Sequence, residues 1–266
     1  MPAHPARTGP EATKSSTEIL EGQLQHGLKE LRRPASGLIV SGFSAGLDLG
    51  FSLLVMAVMA TLTHDVFPRP VVEILLANLY SLGFIFVVLG RSELFTEHTT
   101  LAVLPVFHGE AGLKALARLW VLIYFSNLTG ATLFALLTSW IGPALGVIDP
   151  SVFGEIGRRM VHDSAPVILV SGILAGWLMG ILSWLVSASR DTISQVVVVW
   201  LITFAIGISG LHHSILGTVE VLAAVFSSQG VSMGDYFHFI VWATLGNAIG
   251  GAVFVGAVKY THATRA

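Results

Sequence analysis

The sequence predicts an all-α integral membrane protein: six transmembrane helices in two inverted triplets, the second helix of each triplet being broken. Three observations predict it: too little charge to cover a wet surface, six apolar runs near spanning length, and a match of the chain to itself. Of 266 residues, 53% are hydrophobic and only 11% charged, whereas a soluble domain carries about a quarter charged residues. Mean hydropathy is +0.77. An ordinary soluble globule, a disordered chain and a nucleic-acid binder are excluded, and a net charge of -2 suggests no polyanion partner. Cysteine is absent, which removes disulfides, thiolate chemistry and Cys-ligated metals. The 28 glycines suit close helix packing in lipid.

Residues 1–16 read as a polar tail without the apolar segment of a signal peptide. Leu20, Leu24, Leu28 and Leu31 then recur at helical spacing. They predict an amphipathic helix on the cytoplasmic surface, either an interfacial anchor or a gate over the cytoplasmic mouth. Residues 1–33 thus form a cytoplasmic tail and helix, 34–262 the transmembrane domain and 263–266 a cytoplasmic C-terminus. The spans are Pro34–Thr63, interrupted by Asp48 alone, then Ile74–Gly90, Leu119–Ile148, Ser164–Ser189, Thr192–Val219 and Phe237–Val258. A spanning helix needs about 17–25 apolar residues. None of these runs shows the period-two alternation of barrel strands.

Lys and Arg placement orients the chain. Arg7, Lys14, Lys29, Arg32, Arg33, Lys114, Arg118, Arg190, Lys259 and Arg265 fall on one side, against Arg69, Arg158 and Arg159 on the other. The positive-inside rule makes both termini cytoplasmic.

Val40-Ser41-Gly42-Phe43-Ser44-Ala45-Gly46 recurs as Val170-Ser171-Gly172-Ile173-Leu174-Ala175-Gly176, an offset of 130. Asn127-Leu128-Thr129-Gly130 and Phe134 recur as Asn247-Ala248-Ile249-Gly250 and Phe254, an offset of 120 that also takes Gly90 to Gly210. Repeat 1 covers about 34–148 and repeat 2 about 164–262. Each half holds three spans, so the second must enter the bilayer from the opposite side, the plan of many transporters and channels.

The breaks carry the polar chemistry. Arg91-Ser92-Glu93-Leu94-Phe95-Thr96-Glu97-His98 follows Gly90, and Leu211-His212-His213-Ser214 follows Gly210. Irregular backbone at membrane depth is tolerated only where it is buried in protein or lines a cavity, and half-helix N-termini can face an anion. Arg91 is expected to pair with Glu93 or Glu97 and hold the shape of the break. Glu93 either fixes the loop by accepting backbone amides or touches substrate. His212 either caps the second half-helix or points at a neighbouring subunit. Asp48 is either a buried structural partner or a proton site. Asn127 and Asn247 are expected to satisfy freed backbone groups, and Glu220 receives no role.

At these residues the chain resembles the formate/nitrite transporter family, most like its YfdC-type inner-membrane branch. The resemblance rests on Glu93-Leu94-Phe95-Thr96, Gly210-Leu211-His212-His213-Ser214 and Gly246-Asn247-Ala248-Ile249-Gly250-Gly251, and covers about residues 28–262. It implies an aquaporin-like protomer in a homopentamer of the bacterial inner membrane, one pore per protomer, passing small monovalent anions or their acids. It places the central pore histidine at His213, its hydroxyl partner at Thr96 and an apolar constriction at Leu94 and Phe95. The family's vestibule cations fall on Lys29 and Arg159. Two positions depart from the pattern: His212 stands where the family has an acidic residue, and Gly176 where it has an asparagine.

A bare anion in a dry slit faces a Born cost of order 20 kcal/mol in the ideal limit and several after relaxation. Protonating a small acid of pKa about 3.5 at pH 7 costs roughly 5 kcal/mol. Neutral passage therefore competes. A vestibule cation would concentrate the anion and His213 would lend or relay a proton. The alternative is a neutral-solute pore of the aquaglyceroporin kind, although neither break carries an Asn-Pro-Ala signature. An intramembrane metalloenzyme is disfavoured because adjacent His212 and His213 chelate poorly. No enzyme activity, metal or cofactor is expected.

Overall fold

A computed structural model describes residues 13–265 and is helical throughout. Most of the expected polar tail, together with Arg7, lies outside the described residues. Helix α1 (Ser16–Arg32) starts at a reciprocal cap, Ser15 with Glu18, and buries Leu20, Leu24, Leu28 and Leu31. Its Gln23 amide donates to Ser183 O at 2.8 Å, tying the helix to the bundle. There follow α2 (Ala35–Thr63), α3 (Arg69–Gly90), α4 (Phe95–Leu101), α5 (Leu104–Phe107), α6 (Leu113–Ala144), α7 (Pro150–Val161), α8 (Ala165–Ala188), α9 (Thr192–Ile208), α10 (Ser214–Phe226) and α11 (Met233–Ile249). The last helix continues through a π-helical stretch, Gly250–Ala257, into α12 (Val258–Arg265).

Among the described residues, five helices are long and apolar enough to cross a membrane: α2, α3, α6, α8 and the continuous Met233–Arg265. The expected span Thr192–Val219 is broken at Gly210 as expected, into two short apolar helices, α9 of 17 residues and α10 of 13. Neither reaches about 20 residues alone. Several boundaries also moved. Helix α3 begins at Arg69 and α6 at Leu113, so Arg69, Lys114 and Arg118 lie inside helices. Long basic side chains snorkel, so a charge marks the edge of the apolar zone rather than the end of a helix. Helix α7 was not expected at all. Its Asp149 cap accepts from the Ser151 hydroxyl and from Ser151 N–H, which together hold that carboxyl below the usual range, and Val152, Phe153 and Ile156 are buried.

Helix α2 packs along α6, and α8 along α11. Both contacts depend on a missing side chain. A Cβ on Gly46 would sit 2.2 Å from Asn127 O, and one on Gly176 would sit 2.2 Å from Asn247 O. Gly176 is therefore a packing glycine here, with no room for a larger residue unless the helices separate.

Candidate functional site

The two breaks are built alike. After α3, Arg91 adopts a left-handed conformation (φ 58) and Ser92 N–H returns to Val87 O at 3.1 Å. After α9, Gly210 does the same (φ 61) and Leu211 N–H returns to Ile206 O at 3.1 Å. The residue opposite Gly210 is thus Arg91 rather than Gly90, a shift of one from the sequence match. Gly90 is the last helical residue, with room for a Cβ. The glycine pairing misled because arginine carries the strain that glycine avoids at Gly210.

Serines and asparagines then hold each break. Ser41 Oγ accepts Glu93 N–H at 3.1 Å, and Ser171 Oγ accepts His212 N–H at 3.1 Å. Asn127 Oδ1 accepts Phe95 N–H at 2.8 Å, while its amide donates to Gly42 O and Glu93 O at 2.7 and 2.9 Å. Asn247 accepts Ser214 N–H at 2.8 Å and donates to Gly172 O and His212 O, each at 2.9 Å. Both asparagines are fully buried. Two polar backbone groups per break, stranded where the helix is interrupted, are satisfied by one side chain from a neighbouring helix, which also ties the break to a carbonyl of α2 or α8.

His213 is the N-cap of α10: its Nδ1 accepts Leu216 N–H at 3.2 Å. The capping role weighed for His212 belongs to His213. An accepting Nδ1 leaves the proton on Nε2, which lies 2.8 Å from Thr96 Oγ1 and donates to it. Thr96 is fully buried and His213 nearly so. This neutral tautomer joins the start of α4 to the start of α10. Phe84 meets the imidazole edge-on, 5.0 Å between ring centroids. Leu94 and Phe95 are buried beside Thr96, Phe95 packing against Tyr124 at 4.9 Å. His212 points elsewhere: its Nδ1 is 2.8 Å from Ser171 Oγ, and its Nε2 is buried without a partner among the described residues.

Among the described residues no backbone amide donates to the Glu93 carboxylate. It bonds Arg33 at 3.0 Å and His98, and Arg33 also bonds Glu30 at 3.0 Å. Glu30 thereby raises the Arg33 pKa further. Arg91 makes no ion pair with Glu93 or Glu97 among the described residues; the partner of Glu93 comes from the end of α1 instead. His26, Glu30 and Glu93 bring one possible metal-ligand atom each within 4.8 Å of one another. Arg33 already supplies the positive charge between the carboxylates, so the set is an ion-pair network. Asp48 accepts from Ser44 and Ser92 at 3.3 and 3.2 Å, which makes it a support for the first break.

Two cavities flank these elements. One of about 200 Å³ lies under α1, lined by Lys14, His26, Arg91 and Glu97 among others. The other, about 320 Å³, runs from Arg69, Glu73 and Arg159 to Tyr80, Ile206, Leu211 and Glu220. Arg159 is therefore at a cavity, but it is engaged with Glu73 at 3.1 Å. Lys29 is exposed and lines none of the cavities described here; Lys14 and Arg91 are the cations of the inner one. Sequence reasoning missed Phe84, Tyr80, Arg33, His98 and Glu220. The i,i+4 spacing of Tyr80 and Phe84, and the i,i+3 spacing of Glu30 and Arg33, were legible signals.

A family model described as formate/nitrite transporter matches residues 17–261. The chain is 31% identical to the inner membrane protein YfdC of Escherichia coli, over 90% of this chain and 75% of that protein. It superposes on a solved FNT family ion channel with a TM-score of 0.84 at 24% identity, covering 92% of this chain and 99% of that one. A pentameric formate channel with formate bound gives 0.74 at 24% identity, covering 86% and 97%. The all-helical fold is that of these channels, and the chain belongs to the formate/nitrite transporter family.

Proposed function

We propose that this protein is an inner-membrane channel or transporter for small monovalent anions, formate or nitrite among them, or for their neutral acids. The observation that carries the reading is the buried Thr96–His213 hydrogen bond where the two breaks meet. A structural membrane protein has no use for two polar breaks joined through an imidazole. The family description supports the substrate class, and the formate bound to the structural neighbour agrees with it.

The remaining assignments belong to the same proposal. The matched bonds of Asn127 and Asn247, and of Ser41 and Ser171, support an inverted 3+3 repeat of six spans, aquaporin-like, with α9 and α10 together forming the fifth. The domain is 34–262, preceded by the cytoplasmic α1, and both termini are cytoplasmic. The neighbour's pentamer and the exposed apolar side chains of α6 and α8 support a homopentamer with one pore per protomer. Arg159 draws the anion to one vestibule, with Lys29 as the counterpart proposed for the other. Leu94, Phe95 and Phe84 form the dry constriction, and the Nε2–H of His213, which donates to Thr96 in this structure, exchanges that partner for the substrate as it passes. Glu93 and His212 set the shape of the two breaks, closed by Gly90 and Gly210.

Proteoliposomes test it. Formate should enter, faster as the outside is acidified, and His213→Asn should slow flux at least tenfold and weaken the pH dependence. Glycerol permeation without formate flux would turn the reading to a neutral-solute pore.

A further inference from the structure

We propose that Glu220 is a second proton-exchanging station, placed between the outer vestibule and His213, which protonates the anion before it enters the dry constriction. The inference rests on the transport reading above and adds to it the source of the substrate's proton.

Glu220 is 3% exposed, on α10, at the inner end of the 320 Å³ cavity. Among the described residues no cation lies within 4.0 Å of its carboxyl, and no side chain or backbone group donates to it. A carboxyl buried with neither cation nor donor is costly as an anion and far less so as an acid. Structural carboxylates in this protein look different: Glu93, Glu73 and Asp48 each have partners within hydrogen-bond distance.

Position completes the case. Glu220 lies seven residues after His213, and seven steps of about 100° fall about 20° short of two turns. His213 is the N-cap, and its direction is confirmed by α3: the imidazole meets Phe84, which stacks on Tyr80, and Tyr80 lines the cavity at Glu220. The two groups therefore face the same neighbour, roughly 10 Å apart along the axis at about 1.5 Å per residue. The cavity that reaches Glu220 also touches Ser209, Gly210 and Leu211, the residues leading into His213. The other titratable or charged groups facing this cavity are Tyr80, Glu73 and Arg69 from α3, and Arg159, His162 and Asp163 from α7 and the residues after it. The remaining helices packed against α10 add no ionisable side chain to its lining; α2 adds Met56.

The step balances. The anion, held by Arg159, takes the proton of the Glu220 carboxyl, and its O–H bond forms as that of Glu220 breaks. The neutral acid moves on past Ile206 and Leu211. The Glu220 carboxylate left behind takes a proton from a hydronium ion of the outer solution, which leaves water, so one proton enters with each anion.

Formate uptake into proteoliposomes, with the outside at pH 5.5 and 7.5, tests this on wild type, Glu220→Gln and Glu220→Asp. The ratio of the two rates should fall severalfold in Glu220→Gln, which keeps the shape but carries no exchangeable acid proton, and should be largely recovered in Glu220→Asp. The infrared difference spectrum of wild type minus Glu220→Gln at pH 7.5 should show a protonated carboxyl band. An unchanged ratio in Glu220→Gln, or the absence of that band, overturns the proposal while leaving transport standing. Wild-type protein that carries no formate overturns the transport reading itself, and this inference with it.

Discussion

Asn247→Leu removes one side chain and breaks three buried hydrogen bonds, stranding the Ser214 N–H and the His212 carbonyl of the break and untying it from Gly172 O of α8. Leucine has similar volume, so little cavity is created and the lost hydrogen bonds dominate. Hydrogen bonds between membrane helices measure about 0.6 kcal/mol on average and about 1.7 at most, because an unfolded chain in lipid also finds partners. Three of them give about 2–5 kcal/mol. Asn127→Leu breaks the equivalent set at the first break and should cost the same within that range. Asn78→Leu is the control: Asn78 bonds Ile74 O and the Trp200 indole at an exposed position, and its loss should cost less than about 1 kcal/mol. Detergent-micelle unfolding followed by tryptophan fluorescence measures all three. The reasoning fails if Asn247→Leu costs under about 1 kcal/mol, or if the two core asparagines differ by more than the whole range.

Arg91→Gly relieves the left-handed backbone at φ 58. It should raise stability by about 0.5–1 kcal/mol once the added freedom of the unfolded chain is subtracted; a loss in the same unfolding assay would mean the Arg91 side chain holds the break. The docking of α1 should depend on pH through His26, whose pKa is pushed down by burial and then by His98. The docked state favours neutral His26, so docking is complete above about pH 6.5 and weakens as the pH falls below it. Hydrogen exchange of the α1 amides at pH 5.5 and 7.5 checks this, and His26→Gln should flatten the difference.

What was legible in the sequence was whatever has a period or a cost. Charge is expensive in lipid, so the spans and both breaks stood out, and a polar residue beside a break had to be satisfied by something. That reasoning reached Asn127 and Asn247 and the histidine pair of the second break, while the pairing of Thr96 with His213 came from the family resemblance. It did not reach Arg33, because a basic residue at the end of an amphipathic helix reads as a surface charge until folding brings the first break beside it. Helix α7 was overlooked because a short amphipathic helix between two spans is quieter than the apolar runs around it. Glu220 was passed over for a related reason: a lone carboxyl in an apolar run looks like a helix end when the helix length is unknown. Once α10 is seen to begin at Ser214, residue 220 falls in its middle.

The tautomer of His213 constrains how any proton can move. A neutral imidazole whose Nδ1 caps α10 can donate a hydrogen bond from Nε2, but giving that proton away outright would leave an imidazolate. A relay through His213 therefore requires Nδ1 to be protonated first, and Nδ1–H cannot accept Leu216 N–H. The lost cap costs about 0.5–2 kcal/mol. Desolvating an anion costs several, so an imidazolium formed beside an anion that arrives unprotonated, from the side away from Glu220, recovers more through charge attraction than the cap loses. With no anion present nothing offsets that loss. Under the transport reading proposed above, proton entry at His213 is thereby tied to occupancy, and without a substrate the ring stays neutral with its one N–H given to Thr96.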